Sequence, residues 1–364
     1  MWVKSIRNHV GADLRVCPIS YSVIQYIMTK ENLSRIVRWG IIGCGDVCEV
    51  KSGPAFYKCN HSALTAVMRR DAEKAVDFAK RHQVARWYTD AGELINDPDV
   101  DIVYVATPPS THAYYTIRAL NAGKPVYVEK PMAVNYEECQ LMNQAAEANN
   151  QKLWVAYYRR SLPYFQKVKE LIHSQCIGKI QTVHTIFSQP PEKEDLNPAQ
   201  HTWRVQKEIA GGGYFYDKAP HTIDILIFLL GDIVEAKGIA SNVGKLYQTE
   251  DTVTASFLFE SGVPGSGHWN YVSSPIAGKD QTEIFGEKGI IRFSTFTFTP
   301  IELETDAGVG YYDLPKPQHI QQPMIQSIIH EIRGEGKSPS DGKSGMKTNR
   351  VIDEIVGSKG CKNI

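Results

Sequence analysis

The sequence predicts an α/β protein with a doubly wound parallel sheet first and a second α/β domain on a mostly antiparallel sheet after it. Three observations predict this. At 364 residues, with 42% hydrophobic and 22% charged residues, the chain has a globular composition and the length of two domains. From residue 36, short β-branched apolar runs alternate with amphipathic stretches, the pattern of βαβ units around a sheet buried on both faces. Beyond residue 157, longer segments rich in Thr, Val, Phe and Ile alternate with turn residues, which reads as antiparallel strands with helices over one face.

Residues 1–35 precede the pattern. Their longest apolar run, 23–28, is too short to span a bilayer, and no basic, apolar and small-residue order marks a signal peptide. Met28-Thr29-Lys30 looks like the better start, so the preceding residues are expected to be an upstream extension, a start-site artefact or a disordered tail. Parallel strands are expected at 37–42, 64–68, 102–106, 125–128 and 153–156. Asp71 suits the N-cap of a helix whose Ala75, Val76, Phe78 and Ala79 share one face, and Asn135 suits that of another. With the first domain closing at 157, the second runs over 158–364. Its strands are expected at 180–187, 252–259, 282–293 and 296–304, its helices at 216–230 and 321–333. Residues 334–344, dense in Gly, Ser, Lys and Pro, read as a flexible connection before a final short helix.

Composition bounds the function. Forty basic residues balance forty acidic ones, so no global field recruits nucleic acid or an anionic membrane. Small molecules and further copies of the chain are the expected partners. Seven scattered cysteines, an odd number, argue against a disulfide framework and for a reducing, cytoplasmic setting. Cys44 and Cys48 lack a Cys/His pair at ligand spacing, so no metal site is expected.

Gly43-Cys44-Gly45 directly follows the run 37–42. A glycine pair after a strand permits a tight turn and lets backbone N–H groups approach a pyrophosphate, whose charge the next helix N-terminus favours. This is the mark of a Rossmann domain, with Gly43, Gly45, Asp46 and Val47 as expected cofactor contacts. Cys48 stands at the third glycine position, where a small residue still permits close packing. Roughly 20 residues on, such domains place an acid against the adenosine ribose of NAD. Here Arg69-Arg70 follow the second strand, and arginine suits a 2′-phosphate better than a diol. NADP is therefore the expected cofactor and NAD the alternative, two solvated arginines being the plainer explanation of the pair.

Thr107-Pro108-Pro109 makes a stiff turn at the carboxyl edge of the sheet, where ligands bind in open α/β folds. Thr107, Pro108 and His112 are expected near the cofactor, although Ser110, Thr111 and His112 equally suit helix capping, and a structural role is favoured for His112. Glu129-Lys130-Pro131 follows the strand at 125–128, which aims Lys130 at the same crevice. Burial beside an oxidised nicotinamide would favour proton release from this lysine. After Gly211-Gly212-Gly213, Asp217 and His221 are one helical turn apart and Asp224 nearly another, so a helix places all three on one face. Histidine exchanges protons near neutrality, and an adjacent carboxylate can orient its ring. Pro220 leaves open whether Asp217 is itself helical.

Taken together, Gly43-x-Gly45, Glu129-Lys130-Pro131 and the triple glycine with Asp217-x-x-x-His221 resemble the glucose-fructose oxidoreductase, inositol dehydrogenase and MocA-like family, from residue 36 onward. The resemblance implies an N-terminal Rossmann domain and a C-terminal α/β domain with a large, mostly antiparallel open sheet, through which homodimers or homotetramers form. It implies hydride transfer between NADP or NAD and a sugar, polyol or related hydroxy or keto compound. In these terms Lys130 assists proton transfer, His221 is the principal acid/base, and Asp217 orients both His221 and the substrate. Tyr158, Arg159, Trp203 and Arg204 match segments that line the substrate cleft, and residues 189–206 suggest an ordered lid. Ala219 stands where many members carry glycine, and Arg69 where NAD-using members often have an acid. Two other activities stay open: an NAD-retaining glycosidase using transient oxidation, and a cofactor-binding sensor without catalysis.

Overall fold

Six strands, β1 (Val37–Ile42), β2 (Ser62–Met68), β3 (Arg86–Tyr88), β4 (Ile102–Val105), β5 (Val126–Val128) and β6 (Leu153–Val155), pair in parallel in the order β3-β2-β1-β4-β5-β6. The computed structural model describes residues 35–357, so the expected N-terminal extension, Arg35 apart, lies outside the described residues, as do Cys17 and Cys361. Alternating side chains of these strands feed two apolar layers. Trp39, Ile41, Tyr104 and Tyr127 enter the layer continuous with the core of the second sheet, whereas Ile42, Val103, Val105 and Val128 enter the other. Burial on both faces is why the strands read as near-continuous apolar runs. Strand order reverses between β1 and β4, which opens a crevice at their carboxyl ends.

The second sheet has eight strands among the described residues: β7 (Ile180–Ser188), β8 (Ile233–Ser241), β9 (Thr252–Phe259), β10 (Pro264–Asn270), β11 (Lys279–Gly286), β12 (Gly289–Phe293), β13 (Ile301–Thr305) and β14 (Gly308–Tyr312). Their order is β14-β13-β12-β11-β7-β10-β9-β8, antiparallel throughout except for β7 with β10. Val253, Ala255, Phe257 and Phe259 of β9 are buried while Thr254, Ser256 and Leu258 are exposed, so one face packs and one lies open. The helices Tyr214–Leu230 and Gly342–Gly357 cover the packed face.

Several elements differ from the sequence reading. The single strand expected at 282–293 is a hairpin, because Gly286 pairs with Gly289 across a turn at Glu287 and Lys288. The strand expected at 296–304 begins only at Ile301, since the N–H groups of Thr295, Phe296 and Thr297 turn onto the carboxylate of Asp280. β10 was not anticipated from Pro264-Gly265-Ser266-Gly267, a poor strand sequence. Its glycines admit neighbouring rings: a Cβ on Gly265 would lie 2.3 Å from the Phe257 ring, and one on Gly267 2.2 Å from the Trp269 ring. The stretch expected to be a flexible connection is docked, with Ser338 and Ser340 buried and the Ser340 hydroxyl donating to Val155 O at 2.9 Å. The last helix has 16 residues rather than being short, and it touches both sheets. Asn349 donates to Ala133 O at 2.8 Å, and Ile355 packs where Gly238 leaves room.

Candidate active site

Gly43 takes φ +87°, a conformation that favours glycine, and a Cβ there would stand 2.7 Å from Thr107 Cγ2. This allows the end of β1 to turn against the end of β4, with Gly43 N donating to Met68 O at 2.9 Å. Gly45 faces open space, since a Cβ on it would meet nothing nearer than Gly43 O at 3.9 Å. Asp46 and Val47 begin the short helix Asp46–Val50, and buried Cys48 fills the third glycine position with its Sγ 3.9 Å from Gly43 O. Arg69, whose Nη1 donates to Cys44 O at 3.2 Å, and the exposed Arg70 border the same cleft. Thr107 and Pro108 close its other side. His112 is 1% exposed, with its ring nitrogens 2.9 Å from Pro131 O and 2.7 Å from Thr107 O. It ties two loops of the crevice together, and burial pushes its pKa below the ordinary value.

Glu129 is a brace beneath Lys130. Its buried carboxylate accepts from Tyr104 Oη at 2.5 Å, Gln321 Nε2 at 2.5 Å and Lys130 N at 3.1 Å, and Tyr127 Oη donates to the Gln321 amide oxygen at 2.9 Å. The Lys130 ammonium, 13% exposed, donates to Asp217 Oδ1 at 2.6 Å and to Asp217 O at 2.9 Å. This joins the parallel sheet to the helix Tyr214–Leu230, whose entry is shaped by Gly211 at φ +89° and by Gly213 N donating to Glu250 Oε1 at 2.7 Å. Pro220 lies inside this helix, so Asp217 is helical. Burial favours the neutral form of Asp217, but the charges of Lys130 and Arg204 outweigh it and hold the carboxyl well below its usual range.

His221 is 6% exposed and lies edge-on to the rings of Tyr158 and Phe296, with centroids 5.4 and 5.8 Å away. Its Nδ1 has no hydrogen-bond partner among the described residues. Burial, then the charges of Arg159 and Lys130, push its pKa well below the ordinary value, so the ring is neutral at pH 7. The expectation that Asp217 orients this ring is not met, because its carboxylate oxygens go to Lys130 and, at 3.2 Å, to Arg204. Asp224 does not reach the cleft either. It is buried against Arg160 Nη2 at 2.6 Å, in an ion pair beneath the helix.

Tyr158, Arg159, Trp203 and Arg204 line the cleft, with the Arg204 guanidinium stacked 4.7 Å above the Trp203 ring. Residues 189–206 carry three tight turns, Lys193–Leu196, Pro198–Gln200 and Trp203–Val205, the first pinned by Tyr214 Oη to buried Asp195 at 2.9 Å. All the expected site residues therefore border one cleft of about 850 Å³, whereas Ser110, Thr111 and Asp224 do not. Its course from the glycine turn to His221, with Gly45 open toward it, fits a dinucleotide and a small substrate together. Sequence reasoning missed Lys51, Lys218, Phe296 and Gln321, which also border it. Lys218 lay in plain view beside Asp217, while Phe296 and Gln321 arrive from distant segments without a local signal. Among the described residues no group of three His, Cys, Asp or Glu could hold a metal ion, and no helix is long and apolar enough to cross a membrane.

Comparison with known proteins agrees with this geometry. Residues 37–157 match the oxidoreductase family with an NAD-binding Rossmann fold, and residues 165–292 match the GFO/IDH/MocA C-terminal domain. The chain is 39% identical over 322 residues to Oxidoreductase P35 of Formosa agariphila, spanning 88% of this chain and 99% of that protein. It is 27% identical over 317 residues to the 1,5-anhydro-D-fructose reductase of Ensifer adhaerens, spanning 85% and 92%. Levoglucosan dehydrogenase, solved with NADH and levoglucosan, shares the fold with TM-score 0.78 at 23% identity over 89% of this chain and 97% of that one. Both halves of the molecule thus match one family, and the chain is an oxidoreductase of the glucose-fructose oxidoreductase, inositol dehydrogenase and MocA family.

Proposed function

We propose that the protein is an NADP-preferring dehydrogenase or reductase acting on the CH–OH or carbonyl carbon of a sugar, polyol or related compound. In this reading residues 36–157 hold the cofactor and residues 158–364 the substrate. The observation that carries it is the meeting of Lys130, Asp217 and a neutral His221 in the cleft that begins at the glycine turn. The similarity to a sugar-derivative reductase supports the substrate class.

When bound, the nicotinamide supplies or takes up the hydride. Neutral His221 takes the hydroxyl proton in oxidation and returns it in reduction, a task suited to a buried ring with a free nitrogen. Lys130, paired with Asp217, donates a hydrogen bond to the same oxygen and stabilises its developing negative charge. Asp217, whose other carboxylate oxygen is held by Arg204, fixes the ammonium in place. Gly43, Gly45, Asp46 and Val47 receive the pyrophosphate, and Arg69 with Arg70 the 2′-phosphate. The open face of the second sheet pairs copies into a homodimer or homotetramer, and the cysteine pattern favours the cytoplasm.

A fluorescence titration with NADPH and NADH, followed by stopped-flow oxidation of the bound cofactor over a panel of keto-sugars, tests this reading. Tighter NADPH binding and rapid oxidation by one sugar are expected. Protein that carries a non-exchanging NAD and hydrolyses glycosides without net cofactor turnover would overturn it.

A further inference from the structure

We infer that Arg159 and Lys218 form a recognition point for an oxyanion carried by the substrate, so that the preferred carbohydrate bears a carboxylate or phosphate near the reacting hydroxyl. The inference rests on the carbohydrate oxidoreductase reading above. Arg159 is 4% exposed. Its Nε donates to Thr295 O at 2.9 Å and its Nη1 to Tyr158 Oη at 3.1 Å, both uncharged partners, while Nη2 has none among the described residues. Lys218 is half-buried, and its ammonium makes no hydrogen bond or ion pair among the described residues.

The two cations border one cleft and lie against one aromatic ring. The Arg159 guanidinium lies 4.8 Å and the Lys218 ammonium 5.6 Å from the centroid of the same Phe296 ring, and the His221 ring stands edge-on to it at 5.8 Å. The half-buried carboxylate nearby, Asp217, is already shared by Lys130 and Arg204, and Glu192 and Glu194 border the cleft from exposed positions. Cation–π contact holds a charge in place without neutralising it. Cations removed from water without a counterion are costly, and that cost is relieved when a ligand brings the opposite charge. Burial lowers the pKa of Lys218, and the like charges of Lys130 and Arg204 act in the same direction against those of Asp217 and Glu192. The glycine turn and Arg69 with Arg70 are allotted to the dinucleotide phosphates, which leaves this pair for the substrate.

Calorimetric titration of cofactor-loaded protein with matched hexoses, hexuronates and hexose 6-phosphates tests the inference. At least one anionic member is expected to bind about tenfold or more tightly than its neutral counterpart, the worth of one charged hydrogen bond. Lys218→Met should erase most of that preference and Lys218→Arg should keep it, which separates charge recognition from a folding defect. Tighter uronate binding assigns the oxyanion as a carboxylate, and tighter hexose phosphate binding assigns it as a phosphate. Neutral sugars binding as well as their anionic partners, no anion binding, or an unaltered preference in Lys218→Met would overturn it. Failure of the cofactor to load would instead overturn the functional reading on which it rests.

Discussion

His221 and Lys130 border the same cleft, the first buried without an acid beside it and neutral at pH 7, the second clasped by Asp217. A histidine whose folded pKa is depressed binds fewer protons in the folded chain than in the unfolded one below its ordinary value. Its contribution to stability is therefore complete above about pH 6.5 and is lost as the pH falls toward the depressed value. His112 acts with the same sign. Melting temperatures measured between about pH 5 and pH 8 should fall on the acid side, with a shallower fall in His221→Asn. An equal slope in the variant would contradict the burial argument. The site was legible where its residues share short motifs, as with Lys130, Asp217 and His221. Lys218 was passed over although it lies in the same motif, because an isolated lysine is ordinarily solvated. The partner of Asp217 was misread because sequence spacing shows which residues share a helix face and not which cation arrives from another element.

Two turns set the elements that carry the chemistry. At the first, Gly43→Ala would have to hold a strained positive φ and push its Cβ into Thr107. Affinity for the dinucleotide, read by fluorescence titration, should fall about tenfold or more for a strain of that size. At the second, Glu250 caps the entry of the helix Tyr214–Leu230 through Gly213, and burial pushes its pKa up to about 7. A carboxyl with a raised pKa binds more protons when folded, so ionisation costs stability as the pH rises toward and past that value. Glu250→Gln keeps an acceptor for Gly213 without the charge, and should raise the melting temperature at pH 8 by about 2–4 °C. The parallel strands were legible because a doubly buried sheet needs continuous apolar runs. β10 was not, because its glycines answer to rings on its own and a neighbouring strand, and β11 with β12 read as one run because the turn between them carries no proline or asparagine signal.

Across the whole molecule, the cleft lies where a parallel sheet meets the helix that covers an antiparallel one, and the Lys130–Asp217 ion pair spans that junction. The open face of the second sheet exposes Ile239 at 63% and Tyr311 at 67%, apolar side chains that pairing of copies would bury. Sedimentation velocity should show a dimer or tetramer that Ile239→Glu shifts toward monomer, and an unaltered distribution would place the interface elsewhere. That the two halves meet at one site was legible only through the combination of motifs, since no local signal fixes how two sheets face each other.

The most direct test of the central claim, that Lys130 serves the chemistry and not the binding of cofactor, is Lys130→Met assayed for both in parallel. Turnover should fall by about a hundredfold or more while NADPH titration stays close to that of the unaltered protein. Unchanged turnover in that variant would contradict the account.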